Sequence, residues 1–268
     1  MEDALTIKEI IKNYSISEKL LKSYTNVSNE IPYFKEKNRY YINKNDIENW
    51  LLLRKNRKII LSIDEYRECL EFAFKINYAG HTRSDFGTAR TRGIMQAISN
   101  WTQGTLAETA LRKFLLEKYN IKIDLDFNIH DAVVGQDITQ VQRGKVINPP
   151  RIRVSIKSGK INSCYLVVPE NEVDLKDRRS DLYIFIRVDF PEDHLLRVLK
   201  DHKFLENVKK YIPDLGKIET YICGFSDVNN LEKVNEIPGV KFSGMRYVSK
   251  IGKLKNSDNN WQEFVNML

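Results

Sequence analysis

The chain has 268 residues, 42% of them hydrophobic and 29% charged, enough to build a sizeable core in one large domain or two. A mean hydropathy of −0.45, with no apolar run near the ~20 residues of a membrane helix, excludes a helical membrane span. The net charge of +7 predicts a polyanionic partner.

Residues 1–6 are acidic and lack an apolar stretch, so no secretory signal is expected. Thr6 and Glu9 form a capping-box pattern opening a short helix with Ile7, Ile10 and Ile11 inward. Ser15 or Ser17 caps a second helix anchored by Leu20 and Leu21. The runs 31–34 and 39–42 flank a Lys/Glu/Asn turn and predict a β-ribbon. Asn43 or Asn45 then caps a helix carrying Ile47, Trp50 and Leu51. Helix, turn, helix, ribbon, helix is the order of a winged helix-turn-helix, assigned to residues 1–60.

On these residues the chain resembles DNA-binding domains of the MerR/excisionase type. The resemblance rests on 6–10, on the ribbon 31–34 with 39–42, and on 45–51, about the first fifth of the chain. It implies that the second helix enters the major groove and the wing touches the backbone. The implied contacts are Ser17, Lys19, Lys22, Arg39 and Tyr40.

Residues 61–103 read as a helical linker that contacts DNA. Ser62 and Glu65 make a second capping box, opening a helix with Tyr66, Leu70, Ala73 and Phe74. A polar, Gly-rich loop over 80–92 carries His81, Arg83, Arg90 and Arg92. A short helix with Ile94, Met95, Ile98 and Trp101 follows, and Gly104 opens a separate helix over 105–119. From 121 the period becomes strand-like, at 121–127, 132–134, 151–157, 164–168 and 182–188. The last of these is almost wholly apolar and is expected to be central. Helices near 192–200 and 203–211, a strand at 219–225 and a mixed tail complete the chain, with a final amphipathic helix around Trp261, Phe264 and Leu268. The expected class is α/β (α+β), with a mixed central sheet flanked by helices over 104–268.

In the strand 153–157, Ser155 and Lys157 share one face and Val154 and Ile156 the other. Asp137 follows the apolar pair Val133 and Val134 through Gly135. Glu108 lies at the edge of the helical stripe Ala107, Leu111, Phe114 and Leu115, with Arg112 one turn on. Taken singly, a helix glutamate, a turn aspartate and an edge-strand lysine are ordinary surface residues. Together they make the layout of a Mg²⁺-dependent phosphodiesterase. A carboxylate holds the metal, and an ammonium sits beside the scissile phosphate and the attacking water.

Over residues 104–190 the chain resembles the PD-(D/E)xK nuclease superfamily and, within it, type II restriction endonucleases. Glu108 matches the helix glutamate, Asp137 the metal-binding aspartate and Lys157 the motif lysine. Two positions depart from the pattern. Gln136 stands where proline is usual, and Ser155 replaces the acidic residue two before the lysine. In the Ser-x-Lys form of the family a later glutamate compensates. Glu170 matches that position, with Glu172 as the fallback and Glu108 as a third option.

The resemblance implies a restriction-endonuclease-like core, double-stranded DNA as substrate and Mg²⁺ as cofactor. The metal would be held by Asp137, by Glu108 or Glu170, and by the backbone carbonyl of Ile156. It also implies a homodimer and a cognate DNA methyltransferase as functional partner. Arg178 and Arg179, with the loop 80–92, would contact base edges or phosphates. A non-enzymatic winged-helix regulator and a repair or junction nuclease on the same core are the competing expectations. Cys69, Cys164 and Cys223 show no pairing or zinc-ligand spacing. They read as free thiols of a reducing, cytoplasmic compartment. The four histidines show no metal-ligand spacing either and read as satisfied or surface residues.

Overall fold

A computed structural model describes residues 4–36, 39–78, 93–127, 136–199, 217–237 and 244–268. The expected elements of the N-terminal unit form around their caps. Thr6 and Glu9 complete the capping box of α1 (Ile7–Tyr14), which ends at Ser15 in the left-handed region, φ 54°. Ser17 accepts the Leu20 N–H to cap α2 (Glu18–Lys22), and the helix continues as a π-helical turn over Ser23–Val27. Strands β1 (Ala4–Thr6), β2 (Phe34–Glu36) and β3 (Arg39–Asn43) form an antiparallel sheet in the order β1-β3-β2. Asn43 stands at the N-cap of α3 (Lys44–Asn56), but its side chain makes no capping bond to the backbone, because its Nδ2 donates to the Asp46 carboxylate instead. Ile10, Leu21, Tyr24, Ile31, Ile42, Ile47 and Trp50 bury themselves as the core of this unit.

The chain next adds β4 (Lys58–Leu61), a strand that the sequence pattern does not reveal. Two long helices follow, α4 (Ile63–Tyr78) and α5 (Ile94–Tyr119). The expected break at Gly104 does not occur, and α5 runs straight through it. A buried stripe from Ile98 through Thr102 and Leu106 to Leu111 holds the helix on the core. That packing outweighs the ~1 kcal/mol that an interior glycine costs a helix. A small antiparallel sheet of β5 (Ile121–Leu125), β6 (Ile138–Arg143) and β7 (Val146–Asn148) comes next. Strands β8 (Val154–Lys160) and β9 (Tyr165–Pro169), the helical turn α6 (Glu170–Asp174), strand β10 (Leu182–Asp189) and α7 (His194–Leu199) lead to β11 (Ile218–Asp227). The chain closes with β12 (Glu232–Val234), β13 (Arg246–Lys250) and α8 (Asp258–Met267).

The central sheet has the order β4-β11-β10-β8, with β10 parallel to β8 and the other pairs antiparallel, so it is mixed. Strand β10 is buried on both faces, as its apolar run predicts. Leu182, Ile184, Ile186 and Val188 face the main core with α4, α5 and α8. Tyr183 and Phe185 face a second core with Val173 of α6 and with the sheet β12-β13-β9.

The N-terminal unit is fastened to this body by buried polar groups. The Arg187 guanidinium, 1% exposed, pairs with Glu30 at 2.8 Å and also donates to the carbonyl of Ser163. The Gly252 N–H donates to the Ser28 carbonyl at 2.8 Å. Arg54 stacks on the Tyr221 ring at 3.8 Å. The three cysteines are free thiols. His194 is fully buried and satisfied by Tyr66 at 2.8 Å and Ser99 at 3.1 Å. His81, His130, His202 and the expected strand 132–134 and helix 203–211 lie outside the described residues. Among the described residues no helix is long and apolar enough to cross a membrane.

Candidate active site

The site forms on the outer edge of β8, the terminal strand of the central sheet. Alternation sends the N–H groups of Val154 and Ile156 away from β10 and toward this edge. Gln136 and Asp137 meet them there. Gln136 Oε1 accepts from Val154 N at 2.7 Å, while its Nε2 donates to the Ile138 carbonyl at 2.7 Å. The Asp137 N–H donates to the Val154 carbonyl at 3.2 Å. The Ile156 N–H donates to Asp137 Oδ2 at 2.5 Å. A strand residue sends N–H and C=O to the same side, so the Ile156 carbonyl faces this edge as well.

Ser155 and Lys157 occupy the face of β8 aligned with Tyr183 and Phe185 of β10. The Ser155 side chain stands beside Asp137 and favours its ionised form. The serine two residues before Lys157 therefore supports the neighbouring aspartate. Burial pushes the Asp137 carboxyl up to about 6, against the opposing pull of Lys157 and the Ile156 N–H. For Lys157, burial alone would lower the pKa. The carboxylates of Glu172 and Asp137 outweigh it and hold the ammonium above its usual value.

Glu108 projects from α5 at intermediate exposure. Burial raises its pKa well above the carboxylate range, Asp137 raises it further, and Lys157 opposes both. The charges acting most on it are thus Asp137, Lys157 and Asp126, not Arg112 one turn along the helix. One turn before Glu108 on α5, the Gln103 Nε2 donates to the Ser158 hydroxyl of β8 at 3.2 Å, which ties the helix to the strand.

Glu170, the expected compensating glutamate, points elsewhere. It pairs with Lys233 at 2.6 Å, and Asp174, four residues on, pairs with the same lysine at 3.0 Å. Glu172 instead engages Lys157. The reason is helical geometry. Residues four apart on α6 share a face, and the residue between them is turned to the opposite side. Tyr183 fixes this turn by donating to the Glu172 carbonyl at 3.1 Å while accepting the Ser180 N–H at 3.2 Å.

The structure therefore sets Asp137 and the Ile156 carbonyl on one edge of β8, with Ser155, Lys157 and Glu172 on the adjoining face, places Glu108 of α5 where the charges of Asp137 and Lys157 act on it, and leaves Glu170 out. Gln136, noted in the sequence only as a departure from proline, and Asp126 are further participants not counted among the expected site residues. Gln136 carried a signal, since it stands where the family pattern has proline. Asp126 carried none, because eleven residues separate it from Asp137 and only the meeting of their backbones (Asp126 N to Asp137 O, 3.3 Å) reveals the proximity. The oxygens of Asp137 and Glu108 and the Ile156 carbonyl are the hard donors available to a cation here. Among the described residues, no three His, Cys, Asp or Glu side chains converge as a metal-binding group.

The expected DNA contacts divide. Lys19, Arg39 and Tyr40 are exposed, and Tyr40 packs on Tyr33 with ring centroids 5.5 Å apart. Lys22 is exposed but paired with Glu18 at 2.6 Å, and Ser17 is engaged as the cap of α2. The opposite face of that helix, with Tyr24, is buried beneath Arg54 and Arg187. Arg178 and Arg179 lie in the turn after α6, which Arg153 Nη1 holds through the carbonyls of Lys176 and Asp177 at 3.1 and 3.3 Å. Arg83, Arg90 and Arg92 lie outside the described residues.

Comparison with known protein families, with curated proteins and with solved structures gives no match.

Proposed function

We propose that the chain is a Mg²⁺-dependent nuclease that hydrolyses phosphodiester bonds of double-stranded DNA, a type II restriction endonuclease of the Ser-x-Lys form. The observation that carries this reading is the seating of Asp137 on the edge of β8. Ile156 and Ser155 hold its carboxylate, and the Lys157 ammonium acts on it from the same strand. A DNA-binding regulator has no chemical use for that arrangement.

The donor set suits Mg²⁺. Burial raises the Asp137 and Glu108 carboxyls above the ordinary range, so a cation bound beside them would favour their ionised, ligating form. A small hard cation is commonly held by one or two carboxylates, with water and substrate phosphate completing the shell. Asp137, Glu108 and the Ile156 carbonyl would hold it. When bound, Mg²⁺ neutralises charge on the phosphate oxygens and acidifies a coordinated water. Lys157, kept protonated by Glu172 and Asp137, orients the attacking water and stabilises negative charge on the phosphate. Glu172 positions that ammonium, and Ser155 and the Ile156 N–H fix the carboxylate of Asp137.

Lys19, Lys22, Arg39 and Tyr40 on the winged helix, with Arg178 and Arg179 beside β8, are the proposed DNA contacts. A homodimer would place two equivalent sites on the two strands of a symmetric target, with a DNA methyltransferase protecting the host sequence. Incubation with plasmid DNA and Mg²⁺ tests the reading. Discrete fragments are expected, lost in Asp137→Ala and Lys157→Ala while both variants still bind DNA. Intact plasmid with the wild-type protein would favour a regulator, and structure-dependent nicking would favour a repair nuclease.

A further inference from the structure

The hairpin of β6 and β7 grows out of the site at both ends. Strand β6 begins at Ile138, directly after Asp137, and the chain leaving β7 returns through Pro149–Arg153 into β8. Its base is anchored, with Ile138 and Val141 buried in the main core. Its tip is free. Val146 and Ile147 are 59% and 56% exposed, and every residue of β7 is open to solvent on the outer edge of its sheet. Gly144, at φ 59°, supplies the positive φ required at the first position of the two-residue turn. Gln142 Nε2 donates to the Gly144 carbonyl at 2.9 Å and stiffens it.

Charge identifies the partner. From Ile138 to Pro169 there is no acidic residue, and six basic ones occur: Arg143, Lys145, Arg151, Arg153, Lys157 and Lys160. This stretch carries nearly all of the +7 surplus. Lys145 and Arg151 have no carboxylate partner among the described residues. An exposed strand edge invites pairing with a second copy, but two-fold pairing through β7 would crowd the Arg143 and Lys145 charges of both copies together. A two-stranded ribbon fits the DNA major groove. Six residues of β6 give it a reach of roughly 20 Å from Asp137.

We propose that the β6–β7 hairpin is a DNA-contacting arm, with Lys145 and Arg151 on phosphates and with Val146 and Ile147, which point to opposite faces of β7, packed against the base edges and the sugar wall of the groove. The inference takes its substrate from the nuclease reading. It adds a contact that couples groove occupancy directly to the segment holding Asp137.

The test is fluorescence anisotropy in EDTA with a labelled, mixed-sequence 30-base-pair duplex (~30, within the span of small DNA-binding modules) over a series of NaCl concentrations. The double variant V146S/I147S is expected to bind at least roughly tenfold more weakly with its salt slope unchanged, as loss of apolar burial predicts. Lys145→Gln is expected to weaken binding and flatten the slope by about one. A trypsin footprint needs no variant: the duplex should protect the bond after Lys145 in the wild-type protein. Variants that bind like wild type, with that bond cut equally fast with and without DNA, overturn the arm. So does a change from dimer to monomer in sedimentation with DNA affinity unaltered. These readouts do not involve cleavage. An arm that fails while Mg²⁺ still yields plasmid fragments leaves the nuclease standing, and binding that passes without fragments removes the nuclease and leaves the arm.

Discussion

The Lys157 ammonium lies against the carboxylate of Glu172, two residues past the Glu170 that the sequence pattern favours. Two residues on a helical turn exchange one face for the other, so Glu170 meets Lys233 on the outside while Glu172 meets the sheet.

The two glutamates should therefore separate in a cleavage assay. Glu170→Gln is expected to cut DNA like the wild type. Glu172→Gln is expected to lose ~10–100-fold, the usual cost of removing a positioning partner. Its pH–rate profile should move as well. Without Glu172, burial acts on Lys157 against Asp137 and Tyr183 only, so the ammonium deprotonates more easily and the alkaline limb shifts to lower pH. A loss in Glu170→Gln with Glu172→Gln unaffected would reverse the assignment.

Asp137 couples the site to stability. Its folded pKa, about 6, lies above the ordinary 3.8, so its contribution is complete below the ordinary value and is lost as pH rises through 6. Glu108 shifts in the same direction. In metal-free buffer, Asp137→Asn should match the wild type near pH 4 and exceed its stability by up to about 2 kcal/mol at pH 8, a figure discounted for partial exposure. Urea denaturation at the two pH values measures it. Parallel pH dependence of the two proteins would show that this carboxylate is not strained by burial.

Glu30 and Arg187 fasten the N-terminal unit to the core. Glu30→Ala leaves a guanidinium that is 1% exposed with the Ser163 carbonyl as its one remaining acceptor among the described residues. A loss of about 3 kcal/mol is expected, read by chemical denaturation at neutral pH. A loss below ~1 kcal/mol, the range of exposed pairs, would place the pair effectively in solvent.

Gly252 sits where the two units touch. A methyl group there would collide with the backbone carbonyl of Asn29, and the Gly252 N–H bond to Ser28 would break. Gly252→Ala is expected to loosen the docking while each core survives. Limited trypsin digestion should then cut after the exposed Lys55, at the end of α3, faster than in wild type, and unchanged proteolysis would show that the contact can give way.

Local signals in the sequence were reliable where the structure-forming interaction is itself local. The capping boxes at Thr6 with Glu9 and Ser62 with Glu65 form as read, because each partner lies three residues away. The alternation of Val154, Ser155, Ile156 and Lys157 and the central place of β10 follow from the two-residue period and the apolar run. Gly104 and β4 were misread or missed because packing overrode a local breaker in one case and recruited four residues to a distant strand in the other.

The helices with strong caps, the alternation over 154–157 and the residue types of the candidate site are thus legible in the chain alone. Only the tertiary structure decided which of them meet: Glu172 rather than Glu170 at Lys157, Gln136 as the edge bridge, and Asp126 near Asp137. Caps and alternation are set by neighbours within a turn or a pleat. The charges of an active site come from elements far apart in the chain, and where their side chains point depends on how whole elements rotate as they pack.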